Sequence, residues 1–237
     1  MRLVLSLAVF LFAAAAASAA GLVEPALRLP ASASPGTVRV ALTLDACGGG
    51  TDMRILTALV ENGIPATIFT TGIWLRRNPG AVAVLKAHPG LFEVENHGAR
   101  HVPAIDRPVS VYGIAAAGSA EGVSKEVLGG AEAVQAAGLP RPRWFRGATA
   151  KYTATAMAQV EALGFRIAGY SLNADGGSLL GAAATEKRMN SARDGDVIIG
   201  HVNQPTHAAG AGLVRGLLAL KARGVVFVRL KDVEGTI

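Results

Sequence analysis

The pattern of apolar and polar positions predicts strands and helices that alternate along the chain. Short β-rich runs lie at 38–44, 66–70, 90–94, 142–147, 165–172, 196–200 and 225–228. Between them, helical spacing or Ala-rich composition predicts helices over 52–62, 81–87, 110–138, 152–163 and 212–222. This alternation is typical of a parallel α/β sheet, either open or closed into a barrel.

The first nineteen residues fall outside this alternation and have the pattern of a signal peptide. Arg2 precedes an apolar run over 3–17, and Ala17, Ser18 and Ala19 supply the small residues of a cleavage site. The run is too short and too rich in alanine to favour a retained membrane span, and no cysteine follows it for a lipid anchor. We therefore expect a bacterial protein that is periplasmic or secreted, with no stable membrane anchor.

The rest of the chain divides into a short leader and one domain. Prolines and small residues predict an extended leader over 20–36, and 37–237 is long enough for a single α/β domain. Cys47 is the only cysteine of the 237 residues, which excludes an internal disulfide framework. The net charge of +6 is dispersed, and aromatic residues make up only 5% of the chain, so a nucleic-acid-binding surface is not expected. The composition does not predict an oligomeric state.

Chemically able side chains recur where the predicted strands end. They are Asp45, His97, Arg146, Asp175 and His201. A parallel sheet brings such strand ends to one rim, so residues far apart in sequence can share one pocket. His97 and His101 are four residues apart, and on one face of a helical turn both imidazoles would point at the same ion. These residue types suit metal-assisted hydrolysis, with a carboxylate as base and a histidine as acid.

Over nearly all of the expected mature sequence, the chain resembles the polysaccharide deacetylases, carbohydrate esterase family four. Five segments in the family's order carry this resemblance: 42–45, 97–101, 145–149, 170–175 and 196–201. It implies a deformed (β/α) barrel of about seven parallel strands and a divalent metal ion. It also implies roles for individual residues: Asp45 as catalytic base, His97 and His101 as metal ligands, Arg146 as orienter of the base, Asp175 as partner of the histidine, and His201 as general acid.

Three positions depart from the family's pattern. Ala46 stands where the resemblance implies a second aspartate and third metal ligand, and alanine cannot bind a metal ion. Cys47, Asp52 or Asp45 could replace it, or there is no replacement; small-residue packing and helix capping are the alternative roles of Cys47 and Asp52. Asn173 occupies the usual aspartate position of the fourth segment, which leaves Asp175 as the candidate there. In the third segment, 147–149 replace the family's prolines and tyrosine.

The resemblance and the signal peptide together indicate an exported, metal-dependent hydrolase. We expect it to remove acetyl groups from N-acetylated sugars of a cell-wall or exported polysaccharide, so that its partner is an acetylated polysaccharide or oligosaccharide. Zinc is favoured by ligand type, although nickel and cobalt bind the same donors. An O-acetyl esterase, a non-sugar amide hydrolase and an inactive glycan-binding pseudoenzyme remain open. Trp74 and Trp144 could form a sugar platform, with core packing as the alternative.

Overall fold

The fold is built around one curled parallel sheet, seen in a computed structural model that describes residues 21–32 and 34–233. The expected signal peptide, 1–19, lies outside the described residues. The strands that the structure describes are β1 (Arg39–Ala46), β2 (Ala66–Thr70), β3 (Phe92–Asn96), β4 (Ser110–Val111), β5 (Ile114–Ala115), β6 (Trp144–Phe145), β7 (Arg166–Ile167), β8 (Leu172–Asn173), β9 (Val197–His201) and β10 (Val226–Val228). Only β4 and β5 lie outside the sheet, as an antiparallel hairpin.

Seven strands form one continuous parallel path in the order β7-β6-β3-β2-β1-β9-β8. The eighth, β10, pairs with the first half of β1, where Arg39 lies opposite Val226. The two edge strands follow each other in the chain, and residues 168–171 run from one to the other. Ala168 donates a backbone hydrogen bond to Phe145, and Ser171 donates one to Val197. The predicted deformed (β/α) barrel of about seven parallel strands is therefore confirmed.

Helices pack on the outer face of this sheet. Those in the described residues are α1 (Met53–Glu61), α2 (Gly72–Arg77), α3 (Pro79–Ala87), α4 (Ala120–Ala136), α5 (Ala154–Ala162), α6 (Ala182–Asn190) and α7 (Ala208–Ala222). None of them combines the length and apolar character needed to cross a bilayer. Asp52 caps α1 by accepting a hydrogen bond from the Arg54 amide, so its predicted role as helix cap is confirmed.

Alternation along β1 separates an outer core from the barrel interior. Val40, Leu42, Leu44 and Ala46 face outward and are buried in the large core between sheet and helices. Ala41, on the opposite face, belongs to the inner core, which consists of Leu29, Ala41, Phe69, Trp144, Ala168, Val197, Leu230 and Val233. Thr43 and Asp45 lie on the same inward face as Ala41, and Arg146 binds both. The inward-facing positions thus become polar toward the carboxyl end of the strand.

The N-terminal segment before β1 is extended and attached to the barrel. Val23 pairs with Tyr152 in an isolated antiparallel bridge, and the Leu29 amide donates a hydrogen bond to Gly195. The Leu29 side chain is buried in the inner core. This segment therefore contributes to the structure of the barrel as well as leading into it.

Candidate active site

The carboxyl ends of the strands surround a cavity of about 550 Å³. Asp45 lies on β1, His201 ends β9, and His97 follows β3 by one residue. These three side chains line the cavity together with Cys47 and His101. Arg146 and Asp175 are completely buried and contact Asp45 and His201 respectively. The structure thus brings all six residues singled out in the sequence to one place.

Asp45 is paired with the buried guanidinium of Arg146. Arg146 Nη1 donates to Asp45 Oδ1 at 2.9 Å and to Thr43 Oγ1 at 2.9 Å, and Nη2 donates to the Gly169 carbonyl at 2.9 Å. The guanidinium also lies 4.3 Å from the centre of the Phe69 ring. Burial alone would raise the pKa of Asp45, but the charges of Arg146 and of the nearby histidines hold that pKa below its usual range. Asp45 is therefore an oriented, ionised carboxylate.

His201 is held by the buried carboxylate of Asp175. Its Nδ1 donates to Asp175 Oδ1 at 2.9 Å, and its backbone amide donates to Oδ2 at 2.7 Å. This leaves Nε2 as the ring nitrogen available to a proton acceptor in the cavity. Burial lowers the pKa of His201, but the charge and the hydrogen bond of Asp175 raise it more, to well above its usual value. The imidazolium form is thereby favoured, which suits a proton donor.

The segment that carries His97 and His101 is a loop, so the predicted helical turn is wrong. Gly98 and His101 both have positive φ, +92° and +63°. Buried Glu126 on α4 shapes this loop, because Oε1 accepts from the amides of Arg100 at 3.0 Å and Val102 at 2.9 Å. A Cβ at Gly98 would lie 2.3 Å from the same oxygen. The histidines meet through loop curvature, with ring centres 5.1 Å apart.

Cys47 completes a group of three donors with the two histidines. One donor atom from each of Cys47, His97 and His101 lies within 4.8 Å of the other two. The 3.5 Å separation of Cys47 Sγ from His97 Nε2 equals the spacing of about 3.5 Å between a thiolate and an imidazole on one tetrahedral zinc ion. His97 Nδ1 donates to the Arg146 carbonyl at 2.6 Å, which points Nε2 toward this group. The donor set therefore fits a divalent metal ion.

Asp52 and Asp45, the other candidates for the third metal ligand, are placed less favourably than Cys47, and Ala46 does not face the cavity. Ala46 faces the outer core and is fully buried there. Asp52 is occupied by its helix-capping bond and by an ion pair with Arg54 at 2.6 Å. Asp45 Oδ2 is 3.7 Å from His97 Nε2, while its other oxygen accepts from Arg146. Cys47 follows the outward-facing Ala46, and its side chain returns to the cavity.

Electrostatics at the donor group favour a cation. Burial raises the pKa of the Cys47 thiol, but the charge of His97 and hydrogen bonds with three histidine rings bring it well below its usual value. Burial lowers the pKa of His97, yet the negative charges of Asp45 and Cys47 leave that pKa raised. A thiolate and a carboxylate thus face His97. The same negative charges would attract a metal ion, which would compete with the proton for Nε2.

The sequence did not indicate several residues of the cavity, and the two tryptophans that it suggested for a sugar platform lie elsewhere. Trp74 and Trp144 are buried in the two cores, so neither can be a sugar platform. Glu126, which shapes the histidine loop, is 24 and 26 residues away from the two amides that it binds, and it lies in an Ala-rich helix. The cavity wall also includes Glu24, Tyr112 and Leu179, which the sequence did not indicate, together with Thr149 of the third segment and Asn203, two residues after His201. Only the strand-end pattern pointed to this rim of the sheet.

Among solved structures, enzymes and a pseudoenzyme share this fold. The peptidoglycan N-acetylglucosamine deacetylase Bc1960 is 18% identical, with a TM-score of 0.70 over 90% of this chain and 93% of that one. A family 4 acetyl xylan esterase from Clostridium thermocellum, in complex with a cobalt ion, is 24% identical, with a TM-score of 0.65 over 83% of this chain and 90% of that one. BA3943, a CE4 family pseudoenzyme from Bacillus anthracis, is 18% identical, with a TM-score of 0.65 over 84% of this chain and 66% of that one.

At these identities, the structural likeness shows the fold alone. No curated protein matches the chain in a sequence comparison. The family model described as "Polysaccharide deacetylase" does match, over residues 33–168. This match covers more than half of the chain and includes Asp45, both metal-site histidines and Arg146. The chain therefore belongs to the polysaccharide deacetylase family.

Proposed function

We propose that this protein is a metal-dependent deacetylase that hydrolyses acetyl groups of N-acetylated sugars in a cell-wall or exported polysaccharide. One observation carries the proposal: an ionised carboxylate, a three-donor metal site and a carboxylate-held histidine share a single cavity. Each is a part that hydrolysis of an acetyl amide needs, namely a base, an electrophilic centre and an acid. The names of the peptidoglycan deacetylase and the acetyl xylan esterase support acetyl chemistry on this fold.

His97, His101 and Cys47 would hold the metal ion. When bound, a divalent cation at these donors supplies Lewis acidity to the acetyl carbonyl and to the attacking water. A thiolate with two imidazoles suits zinc better than magnesium or calcium, which prefer oxygen donors. The hydrogen bond from His97 Nδ1 to the Arg146 carbonyl fixes the ring that binds through Nε2.

Asp45 is the proposed general base, and Arg146 is its positioning residue. Oδ1 is held by the guanidinium, which leaves Oδ2 on the side of His97 to accept the proton of the attacking water. Because the pKa of Asp45 lies below its usual range, the carboxylate is ionised and ready at neutral pH. A carboxylate with such a low pKa is a weak base. It can accept a proton from the attacking water more easily if a Lewis acid makes that water more acidic.

His201 is the proposed general acid, and Asp175 is its positioning residue. Breaking the acetyl C–N bond releases an amine, which needs a proton in order to depart. The raised pKa of His201 keeps that proton on the ring, and the Asp175 bond to Nδ1 directs the Nε2 proton into the cavity. Asp45 thus removes one proton and His201 supplies one, so the site ends the reaction with its total proton count unchanged.

The first experiment measures acetate released from N-acetylated chitooligosaccharides, from peptidoglycan and from acetylated xylan. The zinc-loaded protein should release acetate, and chelation should stop it. His97→Ala and His201→Ala should each abolish release, whereas His88→Ala serves as a matched control, since His88 caps the end of α3 away from the cavity. Unchanged acetate release from the His97 or His201 variant would refute the assignment. Release from acetylated xylan alone would make the protein an O-acetyl esterase, and sugar binding with no release would make it a pseudoenzyme.

The role of Cys47 has a separate test that does not need substrate. The cobalt(II)-loaded protein should show a thiolate-to-metal charge-transfer band in the near ultraviolet. The Cys47→Ser variant should lose the band and should bind zinc at least tenfold more weakly. The Asp52→Asn variant should keep both the band and the parental zinc affinity. A cobalt spectrum without the band would exclude Cys47 as a ligand. Asp45 or water would then have to complete the coordination of the metal ion held by the two histidines.

We also infer, from the signal-peptide pattern, that the activity lies outside the cytoplasm. Fractionation of expressing bacterial cells, with mass determination of the mature N-terminus, tests this. A cytoplasmic protein that retains residues 1–19 would contradict it.

A further inference from the structure

The two most exposed large apolar side chains of the described residues both line the active-site cavity. Tyr112 is 77% exposed and Leu179 is 80% exposed, whereas the next most exposed, Met53, reaches 46%. Large apolar side chains scattered singly over a surface need no explanation, but two at the mouth of one cavity point to a ligand.

Tyr112 is presented by a rigid hairpin. It occupies the two-residue turn between β4 and β5 with φ +51°, and Gly113 follows with φ +77°. Both central residues of such a turn need positive φ, which suits glycine or asparagine and is unusual for a bulky residue. The hairpin is anchored beside its turn, because Val111 is buried in a cluster with Ile105 and Val109. A strained tyrosine on a well-anchored turn is typical of a functional position.

Leu179 is presented by a loop that is held at three points. The Gly176 amide donates to Asn173 Oδ1 at 2.8 Å, and the Leu180 amide donates to the Asp175 carbonyl at 3.1 Å. His207 Nδ1 donates to the Ser178 carbonyl at 2.9 Å. The exposure of Leu179 is therefore set by the hydrogen bonds of its loop, and the cavity lining includes two apolar side chains on anchored segments.

Polar groups in the same cavity lack partners. Thr149 Oγ1 and Asn203 Oδ1 are buried and have no hydrogen-bond partner within the described chain. Because buried polar atoms are nearly always paired, these two are available to a ligand. Asn203 Oδ1 is an acceptor, so the ligand should carry O–H or N–H donors.

The charges at the rim compensate each other. Glu24 from the N-terminal segment pairs with Lys151 at 3.1 Å and accepts a hydrogen bond from the Tyr170 hydroxyl. Lys151 Nζ lies 5.8 Å from the centre of the Tyr112 ring. Since the acidic and basic groups are paired, this part of the rim favours an uncharged ligand over a strongly charged one.

We propose that Tyr112 and Leu179 form a subsite for a neutral pyranose ring next to the sugar that is deacetylated. A pyranose has apolar C–H faces that can stack on Tyr112 and pack on Leu179, and its edges carry the donors that Thr149 and Asn203 require. The proposal rests on the proposed function and narrows it: the substrate is an oligosaccharide of at least two sugars, not a small acetylated metabolite.

The test compares a long and a short acetyl donor. Tyr112→Ala should lower kcat/KM for the N-acetylglucosamine tetramer about tenfold, mainly through KM, and should change hydrolysis of 4-nitrophenyl acetate by less than twofold. Leu179→Ala should have a smaller effect of the same kind. Tyr112→Phe should behave like the parent because the ring makes the contact. Leu128→Ala, an exposed leucine on α4 that does not line the cavity, is the matched control.

Equal loss on both donors, or no loss on the tetramer, would overturn the subsite. Calorimetric titration of the zinc-loaded protein with the tetramer separates this proposal from the deacetylase function. If no acetyl donor is hydrolysed but the tetramer binds and Tyr112→Ala weakens binding about tenfold, the subsite stands and the enzymatic function falls. If acetate is released but binding is insensitive to Tyr112, the subsite falls and the function stands.

Discussion

Two carboxylates buried to the same extent inside this barrel have opposite acid–base behaviour. Asp45 and Glu95 are each only 3% exposed, on β1 and on β3. Burial raises the pKa of both, but Arg146 and the neighbouring histidines bring the pKa of Asp45 below its usual range. Glu95 lies near Glu93 instead, and burial together with this second carboxylate raises its pKa to about 9, despite hydrogen bonds from the amides of Trp144 and Arg143.

The difference shows that burial alone does not decide the charge of an acidic group in this fold. The buried guanidinium in contact with Asp45 and the neighbouring histidines together reverse the effect of desolvation, whereas Glu95 has a second carboxylate beside it and is neutral at pH 7. The charge state of Asp45, the proposed base, therefore depends strongly on Arg146. Substitutions at the two carboxylates and their partners test this dependence.

The largest effect is expected from Arg146→Ala. Asp45 would become a buried carboxylate without its guanidinium partner, so it would be less well ordered and protonated more readily. We expect a loss of about 10²- to 10⁴-fold in kcat/KM for acetate release, and about 3–5 kcal/mol in the free energy of unfolding. Rate assays measure the loss in kcat/KM, and urea titration measures the loss in the free energy of unfolding. The double variant Asp45→Asn/Arg146→Met should be more stable than Arg146→Ala, since it leaves no unpaired charge, and equal stabilities would contradict the argument.

A smaller loss is expected from Asp175→Asn. This third buried carboxylate is paired with His201 instead of a guanidinium, and an amide cannot hold the imidazolium electrostatically. We expect kcat to fall about 10²-fold with little change in KM, because His201, the proposed general acid, loses orientation and charge support. Steady-state kinetics with chitooligosaccharides measure this, and Asp106→Asn, whose partners Thr153 and Thr155 lie outside the cavity, is the control. A variant with parental kcat would remove Asp175 from the mechanism.

The smallest effect, in stability alone, is expected from Glu95→Gln. In the folded protein Glu95 keeps its proton up to about pH 9, whereas in the unfolded chain it loses the proton near pH 4.5. The folded state thus holds more protons in this window, so the stability contribution of Glu95 is lost as pH rises from about 4.5 to 9.

Glutamine mimics the protonated carboxyl, so the variant should be more stable than the parent at pH 8 by about 1–3 kcal/mol and should show a flatter pH dependence. Urea unfolding at pH 5 and pH 8 measures this. Glu121→Gln, at an exposed position of α4, should leave the profile unchanged. The idea fails if Glu95→Gln is equally destabilising at both pH values.

Much of the fold follows from local patterns in the sequence. The apolar run at 66–70 coincides with β2, and the segments near α1 and α7 are helices whose apolar side chains pack in the outer core. Helix α6 was missed because its sequence is mostly polar and alanine, with no apolar stripe to detect. The predicted helix over 110–138 is instead a hairpin followed by α4, since the tight turn at Tyr112 and Gly113 interrupts it.

The candidate site was predictable to the extent that it depends on strand ends. Asp45, His97 and His201 meet because parallel strands align their carboxyl ends, which is a property of the topology. Two features depend on contacts between distant segments instead. The histidine loop owes its shape to Glu126, and the choice of Cys47 over the other candidate third donors depends on its meeting His97 and His101 across two separate loops.

Arg146 touches two parts of the site through different atoms. Its side chain holds Asp45, and its backbone carbonyl accepts the hydrogen bond from His97. A substitution of the Arg146 side chain can therefore change the pKa of Asp45, the proposed base, while the ring of His97, the proposed metal ligand, stays anchored. Any displacement of this peptide unit, by contrast, moves both anchors together. A laboratory evolution experiment that seeks to re-space base and metal should thus find insertions and deletions around residues 145–147 poorly tolerated, and should gain more from exchanging side chains on the other strands.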